Sequence, residues 1–191
     1  MSTAALKNDF RAAVSRLEGK RCWSVLAGSG TGSHFILDLG EKVPRDYRIE
    51  NPTLTVVQRT FRGELSLFVE CAWRLDSKSS VICGWGDSNG PNGDLVRGLQ
   101  LSCGRRVTRV SLRHPAQDLE GCFGDLVLRV FCDQTSPLSH GSNYSIDSWR
   151  SPRPSLWKGL KFVVEARGRT HKERITRVRS KRNPVRSLPR G

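Results

Sequence analysis

Leu65, Leu67, Val69 and Cys71 alternate with Ser66, Phe68 and Glu70, and the same apolar beat returns at Leu126, Leu128, Val130 and Cys132. Alternation of this kind is the period of a strand with one buried face. The correspondence extends upstream, where Gly19-Lys20-Arg21 followed by Val25 matches Gly104-Arg105-Arg106 followed by Val110. Two related β units, about 19–83 and 104–146, therefore share one core. The predicted fold is mainly β (α+β), an antiparallel sandwich or roll built from two duplicated meanders. Val69 and Val130 take equivalent buried places in it.

Other elements follow from the pattern around the repeat. Leu6, Phe10, Val14 and Leu17 fall near helical spacing between Ser2-Thr3 and Gly19, which predicts one N-terminal helix lying on the sheet. Strands are expected over 21–27 and 34–39, joined by Gly28-Ser29-Gly30-Thr31-Gly32. Because that turn joins two strands and lacks a Gly-Lys-Ser/Thr ending, it reads as a hairpin and not as a phosphate loop. Residues 41–63, broken by Pro44 and Pro52, form an insertion that the second unit lacks, with a short helix or irregular strand toward Phe61. Residues 64–75 read as one long strand, turned by Asp76-Ser77-Lys78 into 80–83. A glycine- and asparagine-rich loop follows over 85–93, and Asp94 caps a short helix reaching Leu101. The second unit places strands at 105–113, 116–122 and 126–132, and Asn143-Tyr144-Ser145-Ile146 forms a last edge strand.

Charge divides the chain differently. The formal net charge is +14, and from Lys158 onward twelve Lys and Arg face only Glu165 and Glu173, so that segment holds ten of those charges. A hydrophobic fraction of 37% over 191 residues is low, which implies chain outside the core. The expected division is a β-rich domain with its N-terminal helix over 1–148 and a basic, disordered tail over 149–191. No stretch approaches the roughly 20 apolar residues of a membrane span, and the first twenty residues hold no apolar leader. A cytoplasmic protein without membrane contact is expected.

Candidate chemistry is sparse. The six cysteines, Cys22, Cys71, Cys83, Cys103, Cys122 and Cys132, form no Cys-x-x-Cys pair and read as reduced thiols, with Cys71 and Cys132 pointing inward. His34, His114, His140 and His171 stand apart, and no Ser or Cys is read as lying in a strained nucleophile elbow. No catalytic residue, metal or cofactor is assigned. Glu70 and Asp133, with Arg74 and Arg129, read as cross-strand ion pairs. Phe68 and Phe131 lie opposite the apolar stripe, so they are either covered or part of a binding surface that also takes in Trp85, Asp87, Asn89 and Asp133. In the tail, Arg174, Arg177, Arg179, Lys181 and Arg182 offer nonspecific attraction to nucleic acid without the aromatic interleaving of a single-strand platform.

Gly104-Arg105-Arg106-Val107, Leu128-Arg129-Val130-Phe131-Cys132-Asp133-Gln134, Asn143-Tyr144-Ser145 and, in the first half, Leu67-Phe68-Val69-Glu70-Cys71-Ala72-Trp73-Arg74-Leu75 make the chain resemble a family of small uncharacterised bacterial proteins. The resemblance covers roughly 17–146 and lapses after Ser148. It implies no activity and transfers no site residue. Small β-rich proteins of this sort resemble the immunity partners of bacterial toxins at the level of fold. The leading expectation is a non-enzymatic cytoplasmic protein-binding module of immunity or adaptor type, with another protein, a toxin for example, as partner. A nucleic-acid-associated protein acting through the tail is the alternative, and a hydrolase the third reading.

Overall fold

A computed structural model describes residues 3–114, 116–132, 143–148, 160–165 and 174–179. The first unit runs α1 (Thr3–Ser15), β1 (Cys22–Gly28), β2 (Gly32–Pro44), α2 (Val56–Thr60), β3 (Phe61–Val69), β4 (Ala72–Asp76) and β5 (Val81–Gly84). The second runs α3 (Asp94–Gln100), β6 (Arg109–Arg113), β7 (Asp118–Phe123), β8 (Leu126–Phe131) and β9 (Tyr144–Ser148), followed by β10 (Leu160–Glu165) and β11 (Arg174–Arg179). All the paired strands are antiparallel, in two sheets ordered β1-β2-β3-β9-β10-β11 and β5-β4-β8-β7-β6. The protein is mainly β, and each sheet contains one meander, β1-β2-β3 or β6-β7-β8.

The two meanders are tied by exchange. The strand that follows β3 does not stay in its own sheet: β4 pairs with β8, setting Trp73 against Val130 and Leu75 against Leu128. Reciprocally, β9 pairs with β3 and sets Tyr144 against Val69 and Ile146 against Leu67. Trp73-Arg74-Leu75-Asp76-Ser77 thus stands where Tyr144-Ser145-Ile146-Asp147-Ser148 stands in the other half. Val69, Val130, Trp73 and Tyr144 are all buried in one core.

A second contact obeys the same approximate twofold. Cys22 N–H donates to Arg105 O at 2.8 Å and Val107 N–H to Lys20 O at 2.9 Å, while Gly104 N–H donates to Cys22 O and Gly19 N–H to Val107 O, both at 2.7 Å. Gly19 and Gly104 hold φ of +75° and +84°, the left-handed turn that leads out of each preceding helical segment. Arg21 Nε donates to Gly104 O and Arg106 Nη1 to Gly19 O, each at 2.9 Å. Lys20 pairs with Glu64, and Arg105 pairs with Asp125. The Gly-Lys/Arg-Arg motif is therefore the seam between the units. The helices belong to the repeat as well, since Phe10, Ala13 and Val14 of α1 correspond to Leu95, Gly98 and Leu99 of α3, and all six are buried. α1 lies against β6 and β9 and α3 against β1 and β5, so each helix covers one open side of the sandwich.

Three expectations change. Residues 64–75 are not one strand: Glu70 and Cys71 N–H both donate to Asn143 O, at 2.9 and 3.1 Å, and the chain turns there into the other sheet. The apolar alternation continues across that turn because both sheets face the same core. β9 is no edge strand, since it lies between β3 and β10 with Tyr144, Ser145 and Ile146 wholly buried. The helix at Asp94 is preceded by Gly93 as its cap without a side-chain hydrogen bond, and Asp94 instead pairs with Arg97 at 2.5 Å. Of the segment read as a tail, two stretches are the strands β10 and β11, and the remaining residues lie outside the described ones.

Val69→Asp and Val130→Asp should each cost several kcal/mol, because either places an unpaired carboxylate among apolar side chains from both sheets. Urea melts of the two variants should show equal losses within about 1 kcal/mol if the positions are equivalent. A large inequality would contradict the twofold.

Candidate functional site

Five of the six residues assigned to a binding surface lie in one region, the end of the sandwich where both crossovers occur. β3 and β8 finish there, so Phe68 and Phe131 lie on the outer faces of the two sheets, both half-buried. His34 meets the Phe68 ring edge-on, with centroids 6.2 Å apart. Phe131 stands opposite Ala72 at the start of β4. Asp133 lies outside the described residues, as do Lys181 and Arg182; Arg174, Arg177 and Arg179 fall on β11.

The loop over 85–93 is held at several points. Trp73 anchors its start: the indole Nε1 donates to Ser33 O at 2.8 Å, and Trp73 O accepts the Trp85 N–H at 3.1 Å. Asp87 Oδ2 accepts the Gly84 N–H at 2.7 Å, and Asn89 Nδ2 donates to Gly32 O at 2.8 Å, which fastens the loop to the β1–β2 hairpin. Leu95 N–H closes the far side on Ser88 O at 3.2 Å. A side chain at Gly93 would collide with the Ser88 carbonyl, so glycine permits this close return. Held in this way, Trp85 remains 55% exposed.

Sequence reasoning noticed the insertion but assigned it no site. Where the second unit turns from β7 to β8 through Gly124-Asp125, the first spends residues 45–60 between β2 and β3. Those residues form a braced structure. Thr55 and Gln58 cap α2 reciprocally, Gln58 Nε2 donates to Ser24 Oγ and Val25 O at 3.3 and 3.2 Å, and Arg45 Nε donates to Phe61 O at 3.0 Å. Arg48, Ile49, Glu50, Pro52 and Arg59 line a cavity of about 350 Å³, and Arg59 Nε is buried without a hydrogen-bond partner. Tyr47, Val56 and Val57 are exposed on the same segment. The only sequence signal for this was its absence from the second unit.

On the outer face of the β1–β2–β3–β9 sheet, Ser24, Asp38, Ser66 and Asp147 occupy successive register positions. Asp38 is 1% exposed; its Oδ1 accepts from Gly63 N–H at 2.9 Å and from Ser66 Oγ at 2.7 Å, while Oδ2 has no partner. Burial pushes its carboxyl above the usual value, against those hydrogen bonds and the Arg45 and Arg62 charges. Across the other sheet, Arg129 bridges Asp76 and Glu120, Arg113 reaches Glu120 at 2.7 Å and Arg74 reaches Asp76 at 2.8 Å. The Arg129 and Arg113 pairs are cross-strand and Arg74–Asp76 lies within β4, and all use carboxylates other than the Glu70 and Asp133 named from sequence. His114 sits between Arg11 at 2.6 Å and Gln117 at 2.8 Å. No group of three or more metal-ligating side chains occurs among the described residues, and no helix there is long and apolar enough to cross a membrane.

No protein-family model, curated protein or solved structure matches the chain.

Asp38 gives a pH dependence of known sign. Its folded-state pKa lies above the unfolded one, so its contribution is fully present below about pH 4 and is lost as pH rises through the folded value. Asp38→Asn removes that loss. The melting temperature of the variant relative to wild type should climb between about pH 4 and pH 7, and a flat difference would mean the carboxyl titrates normally.

Proposed function

We propose that the protein is a non-enzymatic binding module of adaptor or immunity type, whose partner is another protein and whose contact surface is the crossover end led by Trp85. The observation that carries this reading is a large aromatic held in water on a loop with few degrees of freedom left. An exposed tryptophan brings a large apolar area and an indole N–H to a contact, and tryptophan is enriched among residues that dominate binding energy. Prior ordering of the loop by Asp87, Asn89 and Ser88 lowers the entropy lost on association. Phe68 with His34 on one sheet and Phe131 on the other extend apolar surface to either side.

Affinity capture with the nuclease-treated full chain tests this directly. Wild type should retain a protein at defined stoichiometry, and Trp85→Ser should weaken that complex about tenfold or more while leaving the melting temperature unchanged. Val81→Ser is the control, because Val81 is equally exposed at the opposite end of β5. Retention that vanishes with nuclease would replace the reading by nucleic-acid association, and equal retention by all three proteins would remove Trp85 from the contact.

A further inference from the structure

The approximate twofold has one place where the two halves differ in chemical kind. In the second unit, Val110 N–H donates to Glu18 Oε1 at 2.7 Å, so a carboxylate occupies the mouth of that amide. The equivalent amide in the first unit is Val25 N–H, and the side chain that acts on it is that of Cys103, the residue in the position of Glu18. A site that holds an anion in one half holds a thiol in the other.

Cys103 is not alone there. Its neighbour Gly104 donates its N–H to Cys22 O at 2.7 Å and Cys22 N–H donates to Arg105 O at 2.8 Å, which sets the two cysteines side by side, while the Cys22 thiol donates to Ser24 O at 3.6 Å and the Cys103 thiol to Gln100 Oε1 at 3.4 Å. A disulfide needs Cα atoms within about 7 Å, and the Gly104–Cys22 and Cys22–Arg105 hydrogen bonds bring the two backbones together beside this pair. The two thiols differ in access, with Cys103 half-buried and Cys22 wholly buried. The groups acting on them are few: Val25 N–H from β1 and Gln100 Oε1 from α3, 3.4 Å from Cys103 Sγ, on Cys103, and the Ser24 carbonyl from β1 and the Asp38 charge from β2 on Cys22. The adjoining Cys22 side chain, helped by Val25 N–H and opposed by burial, lowers the Cys103 thiol to about 7, whereas Cys22 is pushed up by the same neighbour and by burial.

We propose that Cys22 and Cys103 form a redox-active pair, in which the Cys103 thiolate attacks hydroperoxides and Cys22 resolves the resulting sulfenic acid as a disulfide across the two repeat units. With hydrogen peroxide, the sulfur–oxygen bond forms as the oxygen–oxygen bond breaks. Cys103 is oxidised to the sulfenic acid, and the departing hydroxide takes a proton to become water. Cys22 then gives up its proton and attacks the Cys103 sulfur, and a second hydroxide leaves, again as water. Two thiols and one peroxide yield one disulfide and two waters. The first step also consumes the negative charge beside Cys22 that disfavours its ionisation.

The test uses the reduced full-length protein in its native state. Alkylation by iodoacetamide, followed residue by residue by mass spectrometry, should label Cys103 first, with a midpoint near pH 7. At that pH its rate should exceed that of an ordinary exposed thiol roughly tenfold, from the larger thiolate fraction. One equivalent of hydrogen peroxide should give a Cys22–Cys103 linked peptide. In Cys22→Ser the same treatment should instead leave a sulfenic acid on Cys103 that dimedone traps. Labelling of Cys103 with the midpoint of an ordinary thiol, or oxidised wild type without that linked peptide, would overturn the proposal, and both readings are made on wild type and need no variant to fold.

Discussion

The reciprocal crossing of two strands is the constraint on which the rest of the molecule depends. Val69 lies against Tyr144 and Val130 against Trp73, so the buried centre of each meander is completed by the strand that leaves the other one. Each aromatic carries some 150–250 Å² of surface into the core, which makes these two contacts large terms in the stability of either sheet. Neither unit can close its own apolar face alone. The seam at Gly19–Cys22 and Gly104–Val107 adds a second place where backbone groups of one half are satisfied only by the other.

Much of this was legible in the chain, and the limits have physical causes. Alternation at Leu65, Leu67, Val69 and Cys71 gave the inward face correctly. It could not reveal that the chain changes sheets at Glu70-Cys71, because a side chain directed to a common core keeps period two on either side of the turn. The kinship of Gly19-Lys20-Arg21 and Gly104-Arg105-Arg106 was visible, whereas their direct contact was not, since a repeat says which positions are alike and not which ones touch. Tyr144 and Trp73 share a role without sharing a residue type, which conceals the match between β9 and β4. The insertion was conspicuous as an interruption. Its cavity depends on where Arg48 and Arg59 are carried by the bracing at Gln58 and Arg45, which no local pattern states.

The repeat also sorts structural residues from the rest. What the two halves share, namely the positive-φ glycines, the paired arginines, the Lys20–Glu64 and Arg105–Asp125 bridges and the buried faces of α1 and α3, serves the fold. What they do not share includes the 45–60 segment and the substitution of Cys103 for Glu18. Trp85 and its loop likewise follow β5 of the first unit, at the joint between the halves. Departures from symmetry in a duplicated scaffold are places where the fold exerts no demand, so their chemistry calls for another explanation.

The Gly124-Asp125 turn shows how little chain is needed to join the second and third strands of a unit. A single copy of the repeat, with its fourth strand projecting to where a twin would accept it, has the form of a self-complementary dimer with an isologous interface. Joining two such copies end to end would convert an association that depends on concentration into a folding event within one chain. It would also release each copy from the requirement of being identical to its partner. The asymmetry between the Gly124-Asp125 hairpin and the long segment at 45–60 is the kind of freedom that a homodimer lacks and a fused chain possesses.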